Sequence, residues 1–200
     1  MNERVALVVG AGSPAGQQIA RELSSRGFHV ALNDQLPDRI EKLASELGSM
    51  AITHAADLSR KLSLQTMLQT ILEKWGRIDA LIFVASIQPT DAILDMDEWD
   101  WHRTIDLNLT AAFLCMQSVG RIMRELGGGV IVNVLVGSSN TESPVYEAAA
   151  TGLRALGDSV QPEFAKNNIS LQTLNADEDL ITKIAELLRT PDPSAITNTK

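Results

Sequence analysis

Short β-branched runs alternate along this chain with longer stretches whose apolar residues recur every third or fourth position. The runs are RVALVV (4–9), FHVALN (28–33), MAIT (50–53), DALIFVA (79–85), GVIVNVLV (129–136) and ISLQTL (169–174). Strands so uniformly apolar are buried on both faces, which predicts a parallel sheet covered by helices on each side. Between the runs lie helical stretches with their own stops. AGQQIARELSSRG ends at Gly27, PDRIEKLASELG opens on Pro37 and ends at Gly48, and LQTMLQTILEKWG ends at Gly76. Two longer helices are predicted, from about Asp97 to Leu126 and from about Pro144 to Asn167. Strand–helix units in this order specify an α/β fold with a doubly wound parallel sheet of about six strands and helices on both faces. Right-handed crossovers leave few other topologies.

At 200 residues the chain has room for one core, predicted to span 1–190, followed by a polar, Pro-containing tail at 191–200. Hydrophobic residues make up 44% and charged residues 21%, values of an ordinary globular domain. The net charge of −8 argues against nucleic acid or an anionic membrane as the main partner. No apolar run approaches the roughly 20 residues that span a bilayer, and MNERVALVV carries no cleavage-site pattern, so a cytoplasmic location is expected. Cys115, alone in the run AAFLCM, allows no internal disulfide and no cysteine metal site, and no other metal site is predicted. It reads either as a small buried hydrophobe or as a reactive thiol.

The first strand runs directly into GAGSPAGQQIA. Glycines at 10, 12 and 16 before a helix suit a pyrophosphate: a tight turn, close backbone approach and a helix N-terminus aimed at the anion. This is the fingerprint of a Rossmann-like sheet, although glycine-rich turns also occur without ligand. Asp34 ends the second strand, where a carboxylate can accept hydrogen bonds from an adenosine ribose and repel a 2′-phosphate, favouring NAD over NADP. It can equally be a turn former beside Asn33. Asp57, in AADLS, stands where an adenine amino group could be met, or caps the next helix.

With these residues in place, the chain resembles the short-chain dehydrogenase/reductase family over nearly its whole length. VVGAGSPAG is similar to that family's T-G-x-x-x-G-x-G turn, AADLS to its D-V/L segment, and WGRIDALIFVAS to its strand ending N-N-A-G. WDWHRTIDLNLTAAFLC resembles its helix with V-N-L-x-G-x-F, GGGVIVNVLVGS its G-G-x-I-V-N-I-S-S strand, and VYEAAATGLRAL its Y-x-A-S-K helix. The resemblance implies NAD(H) as cofactor, held by Gly10, Gly12, Gly16, Asp34, Asp57 and Ala85. It assigns Tyr146 to the catalytic tyrosine and Asn108 to the asparagine of the proton relay. The departures fall on working positions. Pro14 replaces the second glycine, Ser86 the glycine of N-N-A-G, Val136 the catalytic serine and Ala150 the lysine, with Ser138 or Ser139 able to serve only if the loop shifts. After NNISLQTLN the family's substrate-covering insert is missing and ADEDLITKIAELL follows at once.

Such a tyrosine must be brought from a pKa near 10 towards neutrality, about 3 units or roughly 4 kcal/mol, which the lysine largely supplies. Alanine supplies no charge, and Arg154, two turns on, lies roughly 12 Å along the axis from Tyr146. Tyr146 is therefore expected to be a half-buried structural aromatic whose hydroxyl finds a partner. Asn108 is expected to bridge backbone groups or hold a water. The expectation is a non-catalytic member of the fold, a structural or regulatory partner in a homo- or hetero-oligomer, joined through the helices near 97–126 and 144–167. That pairing is implied by the resemblance, and the small residues of YEAAATGLRALG would allow close approach. An NAD-dependent oxidoreductase with a rearranged site and a dinucleotide sensor remain the alternatives.

Overall fold

The computed structural model describes residues 4–137 and 143–189. Six strands, β1 (Val5–Val9), β2 (His29–Asp34), β3 (Ala51–Ala55), β4 (Ala80–Phe83), β5 (Gly129–Leu135) and β6 (Ile169–Asn175), form one sheet in the order β3-β2-β1-β4-β5-β6. Every pairing is parallel. The predicted doubly wound sheet is what the chain adopts. β1, β2 and β4 are buried along almost their whole length, as strands covered on both faces must be. The edge strands β3 and β6 are only partly buried, because each has a neighbour on one side alone.

Among the described residues there are seven α-helices, all but α4 packed on the sheet: α1 (Pro14–Ser25), α2 (Pro37–Leu47), α3 (Lys61–Trp75), α4 (Glu98–Ile105), α5 (Ala111–Leu126), α6 (Pro144–Ala165) and α7 (Leu180–Leu187). Alternate strand residues point to opposite faces. Ala6, Val8, Val30, Leu32 and Ile82 pack with Ile19, Leu23, Ile40 and Ile184 of α1, α2 and α7. Val5, Leu7, Leu81, Phe83 and Ile131 pack with Leu64, Ile71, Cys115, Val119 and Leu153 of α3, α5 and α6. No helix among the described residues is long and apolar enough to cross a membrane.

The helix expected over 97–126 has an internal boundary. Asp97 caps its start by accepting from the Asp100 N–H, and residues Asp106–Thr110 form a π-helical turn between α4 and α5. The wider turn places Asn108 inside, where it is 4% exposed. α6 stops at Ala165, two residues before the expected end. Residues 176–179 alone separate β6 from α7, so the sequence expectation of a direct connection holds. The predicted tail, 191–200, lies outside the described residues.

Candidate functional site

The strand order reverses between β1 and β4, and in open parallel sheets ligands bind outside the carboxyl ends of the strands at that point. The glycine turn leaves β1 there. Gly10 has φ +84°, and a Cβ on it would lie 2.5 Å from the Ala85 nitrogen, so Ala85 packs directly on the turn. A Cβ on Gly16 would run into the Gly10 carbonyl, and one on Gly12 would lie 2.6 Å from Asp34 Oδ2. Each glycine of the motif is thus demanded by the chain's own packing. Ser13 caps α1: its Oγ accepts from the Gly16 N–H at 3.0 Å and donates to the Gly10 carbonyl at 2.8 Å. Pro14 occupies the first helical position, where a missing N–H breaks no intrahelical bond.

Asp34 Oδ2 accepts from the Gly12 N–H at 3.2 Å and Oδ1 from the Leu36 N–H at 3.0 Å. Its carboxylate therefore braces the glycine turn against the start of α2. Each oxygen keeps acceptor capacity for a ribose hydroxyl. Asp57 does not cap the next helix, contrary to one of its two sequence readings. α3 begins at Lys61 with Arg60 as its cap, while Asp57 Oδ1 accepts from the Ser59 N–H at 2.9 Å and Oγ at 2.7 Å.

The remaining sequence-selected residues converge at the ends of β4 and β5. Asn108 Nδ2 donates to the carbonyls of Ile87 at 2.8 Å and Thr104 at 3.0 Å, and Oδ1 accepts from the Ile87 N–H at 3.1 Å. Of its two expected roles, bridging backbone is the one in use. It grips the loop after β4 by both backbone groups of one residue. On either side of that residue stand Ser86 and Gln88. Gln88 Nε2 donates to Ser86 Oγ at 3.2 Å and to the Val136 carbonyl, tying the end of β4 to the end of β5. Sequence reasoning missed Gln88, a polar loop residue with no periodicity to mark it.

Tyr146, in the first turn of α6, departs from expectation in two ways. It is buried, at 4% exposure, and its Oη has no hydrogen-bond partner among the described residues. The ring is held by the core on the α5 and α6 side of the sheet, so apolar packing and not a polar contact fixes it. Burial pushes its phenol pKa up from the ordinary value, and the Glu147 charge adds to the rise. The Ser86 hydroxyl and the Val136 backbone offset part of it, yet neither meets Oη in hydrogen-bond geometry. Ala150, one turn on, is buried and uncharged. Arg154 Nη2 donates to Asn175 Oδ1 at 2.8 Å, directed to the end of β6. Ser138 and Ser139 lie outside the described residues.

A glycine turn, an acid ending β2, an asparagine in a π turn and a tyrosine opening α6 all meet at one end of one sheet. The model of the short chain dehydrogenase family matches residues 4–182. The chain belongs to that family. It is 31% identical over 177 residues to a short-chain dehydrogenase/reductase of Armillaria gallica, covering 84% of this chain and 68% of the relative. It is 29% identical over 179 residues to the (2S)-[(R)-hydroxy(phenyl)methyl]succinyl-CoA dehydrogenase subunit BbsD of Thauera aromatica, covering 86% and 71%. The crystal structure of a metagenomic short-chain oxidoreductase in complex with NADP superposes with a TM-score of 0.85 at 25% identity, over 94% of this chain and 91% of that one.

On this short-chain dehydrogenase fold the outer faces of α5 and α6 border a cavity of about 290 Å³, lined by Phe113, Gln117, Arg121 and Arg124 of α5 and Val160 and Phe164 of α6. Phe113 is 41% exposed at its rim. The small residues of α6 do not line it. A Cβ on Gly157 would lie 2.7 Å from Thr173 Oγ1 and one on Gly152 3.2 Å from Leu109, and Ala149 is fully buried. Ala149, Gly152 and Gly157 thus face the chain's own sheet and π turn, while Ala148 and Ala155 of the same helix stand exposed.

Proposed function

We propose that this chain is a non-catalytic short-chain dehydrogenase/reductase subunit. It is a structural or regulatory partner that associates with a second chain of the same fold, its own copy or an active relative. The observation that carries the reading is Tyr146. Proton transfer near neutral pH needs its phenol lowered, and burial beside an uncharged Ala150 raises it. Val136 offers no hydroxyl to a substrate oxygen, a donor worth about 3 kcal/mol. With roughly 4 kcal/mol of phenol activation also missing, carbonyl reduction slows by about five orders of magnitude. At the glycine turn the residues suit the adenosine half of NAD, with Asp34 for its ribose. At the nicotinamide half, Ser86, Gln88 and Ala150 do not.

The rim of the α5–α6 cavity supplies the surface for association. It combines exposed Phe113 with Arg121 and Arg124 on one helix and Glu163 on the other. The rim thus carries both signs of charge, as an interface between two copies of one surface requires. A relative that is by name a dehydrogenase subunit fits a heteromeric role. The lone buried Cys115 suits a cytoplasmic one. Light scattering on the purified chain, alone and co-expressed with an active family member, tests the proposal. The expected result is a dimer or larger assembly that Phe113→Asp reduces to monomer without lowering the melting temperature. A monomer in both preparations, or NAD(H)-dependent turnover lost in Tyr146→Phe, overturns it. The second result would establish the other reading, an NAD-dependent oxidoreductase, which the well-formed Asn108 geometry favours.

A further inference from the structure

The ends of β4 and β5 are bridged by an amide of the chain itself. Asn108 clamps Ile87 through both its N–H and its carbonyl, so the backbone that carries Gln88 is fixed from below. From that fixed point the Gln88 carboxamide reaches across the sheet. One nitrogen serves Ser86 Oγ, beyond β4, and the Val136 carbonyl, beyond β5. Tyr146 belongs to the same cluster, since Ser86 and Val136 are the groups that moderate its phenol. Its Oη is buried without a partner among the described residues.

We propose that Gln88 is an internal occupant of the crevice at the ends of β4 and β5, and that its carboxamide excludes the nicotinamide ring of a dinucleotide. Withdrawing the amide would free its two present partners, the Val136 carbonyl and Ser86 Oγ. An acceptor and a hydroxyl are complementary to a primary carboxamide, the group Gln88 carries and the group nicotinamide carries. An incoming nicotinamide must therefore break two hydrogen bonds to reach what Gln88 already holds. A side chain tethered beside its own site competes at high effective concentration. If the open form is about a tenth of the population, apparent affinity for the ring end falls about tenfold. Ser86, in the position that the family resemblance gives to glycine, adds a side chain to the same crevice. This inference rests on the placement of Gln88 and not on subunit association.

NADH and ADP are titrated calorimetrically into the full chain, with NADH fluorescence reporting the ring's surroundings. ADP carries the adenosine half alone and serves as control. The wild-type chain is expected to bind NADH no more than about threefold tighter than ADP. Gln88→Ala is expected to bind NADH at least about tenfold tighter than the wild type, with a fluorescence gain, and ADP unchanged. Gln88→Met, which keeps the length and loses both donors, carries the test if Gln88→Ala fails to fold. Wild-type NADH binding about tenfold tighter than ADP overturns the proposal, because the ring end is then open. Equal NADH binding in wild type and folded variants also overturns it, including the case in which none binds. Light scattering reads the association proposal separately, so either can fail alone.

Discussion

Tyr146 is the only tyrosine in the chain, so the phenolate absorbance band titrates one group at one place. Burial holds that group protonated beyond the ordinary phenol range, and the wild-type midpoint is expected above a pH of about 10. The informative perturbation is Ala150→Lys. Residues four apart on a helix have Cβ atoms about 5–6 Å apart, which allows an ammonium to stand about 5 Å from the phenol oxygen. At an effective dielectric of about 20, unit charges at that distance attract by roughly 3 kcal/mol, equivalent to a downward shift of roughly 2 pH units. Tyr146→Phe provides the blank, since the band should vanish. The same reasoning fixes how stability depends on alkali. The folded phenol has the higher pKa, so its contribution is complete below the unfolded value and is lost as pH rises from that value through the folded one. Each unit of separation costs about 1.4 kcal/mol at the alkaline limit, and Tyr146→Phe should flatten that slope. A wild-type midpoint at or below about 10, or an Ala150→Lys variant that folds and titrates like the wild type, would refute the reasoning.

Three further outcomes are expected. Asn108→Leu should destabilise the fold by about 2–3 kcal/mol by orphaning both backbone groups of Ile87, read as a fall in melting temperature of roughly 5–10 °C. Gly10→Ala should cost about 3 kcal/mol or more with no nucleotide present, because its φ of +84° and the Ala85 backbone 2.5 Å away leave no room for a methyl. Chemical denaturation of the apo-protein measures this, and an unchanged midpoint would return the glycine to a purely ligand-binding role. Cys115, fully buried with its thiol pushed up to about 12, should resist a disulfide reagent in the native state and react in denaturant. Rapid native labelling would contradict its place in the core.

Most of the architecture was legible because strand burial on two faces leaves a strong mark on composition. Every strand lies within a residue or two of its apolar run, and Gly76 and Gly127 end α3 and α5 as left-handed caps. The π turn at 106–110 was not legible: it shifts backbone hydrogen bonds without changing the spacing of apolar side chains. Nor could α6 be read in full. A glycine that admits a neighbouring subunit and one that admits Thr173 of the same chain look identical in sequence. Gln88 escaped for the opposite reason, since a loop residue acquires meaning only through the Val136 carbonyl across the sheet, 48 positions away.

The site residues divide by where their partners lie. Gly10, Gly16, Asp34 and Asn108 match the family's pattern, and each has an intrachain contact that its type alone satisfies: a backbone approach, a braced turn, a doubly held loop. The lysine and serine of that pattern would find their chief partners in cofactor and substrate, and the resemblance puts those positions at Ala150 and Val136. Retention of the glycine turn is therefore weak testimony for a bound nucleotide, because the fold needs it regardless. Tyr146 tests the division. Its hydroxyl has no partner among the described residues, yet its ring belongs to the core on the α5 and α6 side of the sheet. Packing alone is enough to keep an aromatic there, and phenylalanine would serve that purpose with one fewer buried polar atom. Among the described residues the orphaned hydroxyl joins Thr104 Oγ1, four residues before Asn108, and Ser143 Oγ, at the start of α6, as buried polar groups that the chain's own structure does not explain. The groups that moderate it, Ser86 and the Val136 backbone, are the ones that Gln88 holds, so the state of that one oxygen separates a relic from a site held shut.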